Sequence, residues 1–76
     1  MPDHPTRHAS AADRELELLT ISEAAELVRA PVATLRYWRH LGVGPDGFRL
    51  GRRVVYRRGD VDRWLAAQQQ AQSPRS

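Results

Sequence analysis

The sequence predicts a mainly α-helical domain with one small β-hairpin: three short helices and two strands. Three observations carry that prediction. Two apolar stripes of helical period lie on either side of Pro31. Alternating segments then flank Gly51-Arg52-Arg53, and a third helical stripe begins at Val61.

Each element has its own start and stop signals. Leu18 and Leu19 suit a short strand. Thr20-Ile21-Ser22-Glu23 is a capping box, in which the threonine hydroxyl accepts from the Glu23 amide and the Glu23 carboxylate reaches back. The first helix is therefore expected over Ile21 to Val28, with Ala24, Leu27 and Val28 facing inward. Arg29-Ala30-Pro31 ends it, and proline suits the start of a second helix, where the amide hydrogen is not needed. That second helix is expected over Val32 to Leu41, closed by Gly42, with Leu35, Trp38 and Leu41 inward.

The stretch from Gly42 to Gly47 is a loop. Phe48-Arg49-Leu50 and Val54-Val55-Tyr56 form the hairpin, with Phe48, Leu50, Val54 and Tyr56 expected to be buried and Arg49, Arg53, Val55 and Arg57 to point away. A third helix starts near Gly59-Asp60, with Gly59 as its cap and Val61, Trp64 and Leu65 as its stripe. Residues 1–15 and 71–76 are polar, rich in proline and without period, and are expected to be disordered tails around a domain at 16–70.

Composition limits the functions this chain can have. Its 76 residues allow one small domain, too little protein for a small-molecule pocket. The absence of cysteine excludes disulfides and thiolate metal sites, and no metal or cofactor is expected. No apolar run reaches the roughly 20 residues of a membrane helix, and no signal peptide stands at the start. The expectation is a cytoplasmic, nucleoid-associated protein with no membrane partner and no small-molecule ligand.

Charge is strongly segregated. Eight of the twelve basic residues, all arginine, fall between Arg29 and Arg58 beside one acid, Asp46, so that stretch carries 8 − 1 = +7. Residues 1–28 carry two arginines against six acids, −4, and the whole chain +3. A dense cationic patch on a small domain attracts polyanions, nucleic acid above all.

The candidate contacts follow from this division. Thr34, Arg36, Tyr37, Arg39 and His40 give the second helix a face of donors suited to base edges and phosphates in the major groove. Arg52 and Arg53 at the hairpin tip, backed by Arg57 and Arg58, suit a wing lying along phosphates or in a narrow minor groove. Trp38 and Trp64 lie on apolar stripes and are expected in the core, not as stacking platforms for single strands. Arginine, histidine and tyrosine are also the residue types of tyrosine recombinases. Here they crowd onto one helix, with no second layer to position a phosphodiester. No catalytic residue is expected, and the chain is not an enzyme.

Taken in order, Leu18-Leu19-Thr20-Ile21-Ser22-Glu23-Ala24-Ala25-Glu26-Leu27, Thr34-Leu35-Arg36-Tyr37-Trp38-Arg39 and Leu50-Gly51-Arg52-Arg53-Val54-Val55-Tyr56-Arg57-Arg58-Gly59-Asp60-Val61 through Trp64-Leu65 resemble the excisionase family. These are small winged helix-turn-helix proteins similar to the DNA-binding half of MerR-type regulators. The chain departs from the family pattern at Gly59, where serine or threonine is common, and at Pro31, where serine is.

The resemblance implies three short helices plus a two-stranded wing, with Arg36, Tyr37 and His40 on the recognition helix and Arg52 and Arg53 in the wing. It implies double-stranded DNA as partner, with an integrase and further copies of the chain on DNA, in a bacterial or phage setting. The implied role is that of an excisionase, a recombination directionality factor that bends attachment-site DNA. A small transcriptional regulator of the same fold is the alternative. A protein-binding adaptor using residues 13–26 and the third helix is the reading from another class.

Overall fold

The structure, a computed structural model, describes residues 11–72. Within them the chain runs α1 (Ala11–Leu16), β1 (Leu18–Thr20), α2 (Ile21–Val28), α3 (Val32–Leu41), β2 (Gly47–Leu50), β3 (Arg53–Arg57) and α4 (Arg58–Ala71). The three helices read from sequence are α2, α3 and α4. Of the expected tails at 1–15 and 71–76, residues 1–10 and 73–76 lie outside the described residues, while Ala71 is the last residue of α4.

The helix-turn-helix pair closes as its end signals require. Glu23 N donates to Thr20 Oγ1 at 3.1 Å and Thr20 N to Glu23 Oε1 at 2.8 Å, which completes the capping box. At the other end of α2, Ala30 N reaches Ala25 O at 3.0 Å, and Arg29 takes the left-handed conformation at φ 62°. This is the bond pattern that usually employs glycine. Pro31 precedes α3 as its N-cap, and Gly42 ends α3 the same way, at φ 78°, with Val43 N on Trp38 O at 2.9 Å.

A three-stranded antiparallel sheet of order β1-β3-β2 completes the fold. The winged helix-turn-helix architecture is thus present, with β1 joining the hairpin as a third strand. Leu19, Ala24, Ala25, Leu35, Tyr56 and Val61 form the buried cluster, with Trp38, Val54 and Leu65 packed against it. Leu35, Tyr56 and Val61 are its largest fully buried side chains. Burial of each apolar side chain of this size contributes about 1.5–3 kcal/mol. So thin a core leaves little surplus over chain entropy.

Four sequence expectations are corrected. First, Ala11–Leu16 is helical, although a tail was expected through residue 15. Six residues show no period, and α1 is held by tertiary partners: Arg58 N donates to Glu17 O at 2.8 Å, Arg57 Nη1 to Leu16 O at 3.0 Å, and Glu15 pairs with Arg63. Second, α4 begins at Arg58, capped by Arg57 with no side-chain bond, and Gly59 lies buried in its first turn. A side chain there would run into the carboxylate of Glu15.

Third, the hairpin turn holds two residues, not three: Leu50 pairs with Arg53 and Phe48 with Val55. A one-residue change in register moves every side chain of a strand to the other face. Phe48 and Leu50 therefore share a face with Val55, not with Val54 and Tyr56, and both are exposed while Tyr56 is 2% exposed. Fourth, Leu41 is exposed. It occupies the last turn of α3, beyond the part of the helix that meets the core.

Candidate nucleic-acid interface

A single open cleft lies between α3 and the hairpin. Arg36, Arg39 and His40 line it from α3, Arg52, Arg53 and Val54 from the wing, and Thr20 and Ile21 from the start of α2. Elements distant in sequence thus bring five of the expected contact residues together. No carboxylate lines this cleft, and among the described residues none of Arg36, Arg39, Arg52 and Arg53 is in an ion pair. The arginines at its walls are exposed. Such an opening concentrates positive potential where a polyanion can reach it.

The wing tip is built by its turn. Gly51 adopts φ +64° with no neighbour near the position of a Cβ, so the backbone conformation, not crowding, calls for glycine. Arg52 follows in the turn and Arg53 opens β3, so that both guanidinium groups stand at the exposed end of the hairpin.

The other expected contact residues are placed differently. Tyr37 is 60% exposed on α3, outside the cleft, and Thr34 is half-buried in the first turns of that helix. Arg57 is half-buried on the outer sheet face, donating to Leu16 O and lying 5.8 Å over the Phe48 ring. Arg58 pairs with Glu17 and with Asp62, each at 3.5 Å. Arg63 pairs with Glu15 and, at 2.7 Å, with Asp60. Glu15, Glu17 and acids of α4 therefore neutralise the cations nearest them and leave the cleft arginines without an ion pair.

Arg39 differs from its neighbours in the cleft. Its Nη1 donates to Gly47 O at 3.3 Å, across the loop that joins α3 to β2. Burial pushes the Tyr56 phenol above the ordinary tyrosine value, while the nearby Arg39 charge pulls it back down. Trp38 and Trp64 are half-buried with ring centroids 5.3 Å apart and planes tilted by 44°. They lock α3 to α4 and are not an open stacking platform.

Sequence reasoning missed Thr20, Ile21 and Val54 as cleft residues. The capping box identified Thr20 as a helix start, but nothing local says that this start faces the wing. That placement depends on how α2 packs against α3 and β3.

Fold and cleft together define a small DNA-binding protein of the winged helix-turn-helix class. The sequence profile of a helix-turn-helix domain family matches residues 18–69, most of the chain, and the chain belongs to that family. No curated protein and no solved structure matches it. Among the described residues no helix is long and apolar enough to cross a membrane, and no group of histidines and carboxylates could hold a metal ion.

Proposed function

We propose that this chain is an excisionase-type accessory factor of a mobile element, which binds duplex DNA through the α3–wing cleft and bends it. The observation that carries the DNA contacts is the cleft itself, with its unpaired arginines on two elements of different shape. A helix fits the major groove, whereas a narrow hairpin follows the adjacent backbone or minor groove. Arg36 and His40 are assigned to base edges and nearby phosphates, and Tyr37 and Thr34 to the flanks of the same helix. Arg52 and Arg53 are assigned to the phosphates beside the wing.

One such module covers a short site, so useful selectivity needs several copies on DNA or a protein partner. Among the described residues no heptad helix offers a seam for a stable dimer. The protein is therefore expected to be monomeric when free and to assemble on repeated sites beside an integrase.

The excision role draws its support from the motif order that resembles excisionases. A small transcriptional regulator would use the same contacts. A gel-shift and DNase I footprint with DNA from the gene's own surroundings tests the binding. Protected repeats next to an attachment site, with a bend in circular-permutation assays, support the excision role. A single protected promoter operator points to the regulator. No shift with any duplex at low salt removes both, and leaves the adaptor.

A further inference from the structure

We propose that Arg39 is a positioning residue, whose guanidinium bonds the reading helix to the wing instead of neutralising a phosphate. The proposal rests on the DNA-binding reading of the cleft.

Four observations lead to it. Arg39 Nη1 donates to the backbone carbonyl of Gly47, the first residue of β2. Gly47 in turn is held from behind, since it pairs with Tyr56 across the hairpin and its backbone lies directly on the Tyr56 ring. A Cβ at Gly47 would come within 2.8 Å of that ring. Tyr56 is 2% exposed and belongs to the core cluster, so the carbonyl that Arg39 grips is fixed to the rigid centre of the domain.

The covalent route between the same two elements is a five-residue loop. It runs from Gly42 to Asp46 and includes two glycines at positive φ, Gly42 at 78° and Gly44 at 82°. The principal packing of α3 is against α2, and α3 has no comparable packing against either strand of the hairpin. The distance and angle between α3 and the wing decide whether one element can sit in a groove while the other follows the backbone. The Arg39–Gly47 bond is a direct polar link between them. The Arg39 charge also lowers the Tyr56 phenol pKa somewhat, against the larger upward push of burial.

The test uses the full 76-residue chain, which is short enough for chemical synthesis. Arg39→Ala removes both charge and bond. Arg39→citrulline removes the charge but keeps a planar group with an amide that can donate to Gly47 O. Affinity for a footprinted duplex is measured by fluorescence anisotropy across a salt series, with a scrambled duplex as control.

Positioning predicts that Arg39→Ala weakens specific binding about fivefold to tenfold, with much less effect on the scrambled duplex. Citrulline restores specific binding, and the salt slope of both variants stays that of the parent. A phosphate contact predicts instead that citrulline is as weak as alanine and that both slopes flatten by about 0.9. That result, or an unchanged affinity for Arg39→Ala, overturns the proposal.

Amide hydrogen exchange without DNA gives an independent readout. Faster exchange over Gly47–Leu50 in Arg39→Ala, reversed by citrulline, supports the bond as a structural tie, and unchanged exchange overturns it. If the parent protein binds no duplex, the DNA reading fails while the exchange result still decides whether Arg39 holds the wing.

Discussion

Salt dependence gives the sharpest test of how this chain divides its arginines. The perturbation is ionic strength, and the structure supplies the count. Arg36, Arg52 and Arg53 line the cleft without a carboxylate partner, whereas Arg39 is bonded to Gly47 and Arg58 is ion-paired. Arg57 sits on the outer sheet face with its guanidinium on Leu16 O. Three phosphates neutralised give a slope of log K against log salt of about −2.7. Between 50 and 200 mM salt the affinity then falls about 40-fold. From the sequence alone, with about five arginines engaged, the slope is about −4 to −5 and the fall several hundred-fold. Anisotropy titrations of a labelled duplex over that range separate the two figures. Arg52→Ala should flatten the slope by about 0.9 and weaken binding to all sequences alike, while Arg36→Ala should also relax base preference. A slope near zero defeats the electrostatic account. One steeper than −4 shows that arginines beyond these three neutralise phosphates, and refutes the division.

Further outcomes concern stability. Gly47→Ala should cost about 1–3 kcal/mol in urea denaturation, because the new methyl meets the buried Tyr56 ring. Gly59→Ala should differ in sign or be close to neutral: the obstructing Glu15 carboxylate can swing away, and alanine gains about 1 kcal/mol of helix propensity against an exposed ion pair worth about 0–1 kcal/mol. Arg29→Gly should raise the melting temperature, since glycine relieves about 1 kcal/mol of left-handed strain at φ 62°, and a lowered melting temperature would contradict the cap geometry. Tyr56 should make the fold sensitive to alkali. Its folded pKa is raised, so above the ordinary tyrosine value of 10.0 the unfolded chain loses its proton first. Stability from this group is full below that pH and is lost as pH rises through the folded value. Melts of Tyr56→Phe should lack that component of the alkaline decline.

Local signals in the sequence were enough for the helix-turn-helix. Thr20, Glu23, Pro31 and Gly42 each satisfy or omit a particular backbone group, so the bounds of α2 and α3 could be read without knowing what they pack against. The hairpin was legible as an element but not in register. Gly51-Arg52 and Gly51-Arg52-Arg53 are equally acceptable turns on composition; in the register adopted Gly47, with no side chain, stands opposite the buried Tyr56 ring, a fit that local sequence does not announce. The division of the arginines was only half legible. Placing Arg36 and Arg53 on opposite walls of one cleft needs the tertiary fold, and the distant partners of Arg63 and Arg58, Glu15 and Glu17, lie in and just after α1, a helix too short to leave a period. Arg39 was read as one more exposed donor because its acceptor is a backbone carbonyl, which has no sequence signature.

The six-residue α1 buries none of its own side chains, yet its end of the chain brings Glu15 and Glu17 onto Arg63 and Arg58. It therefore acts as a counter-charge laid over the start of α4, masking two cations that would otherwise add to the field of the domain. Polyanions approaching from any side would meet a more uniform positive surface without it. With it in place, less attraction remains on the α4 side, and the cleft arginines weigh more in turning the domain to face DNA before the two touch.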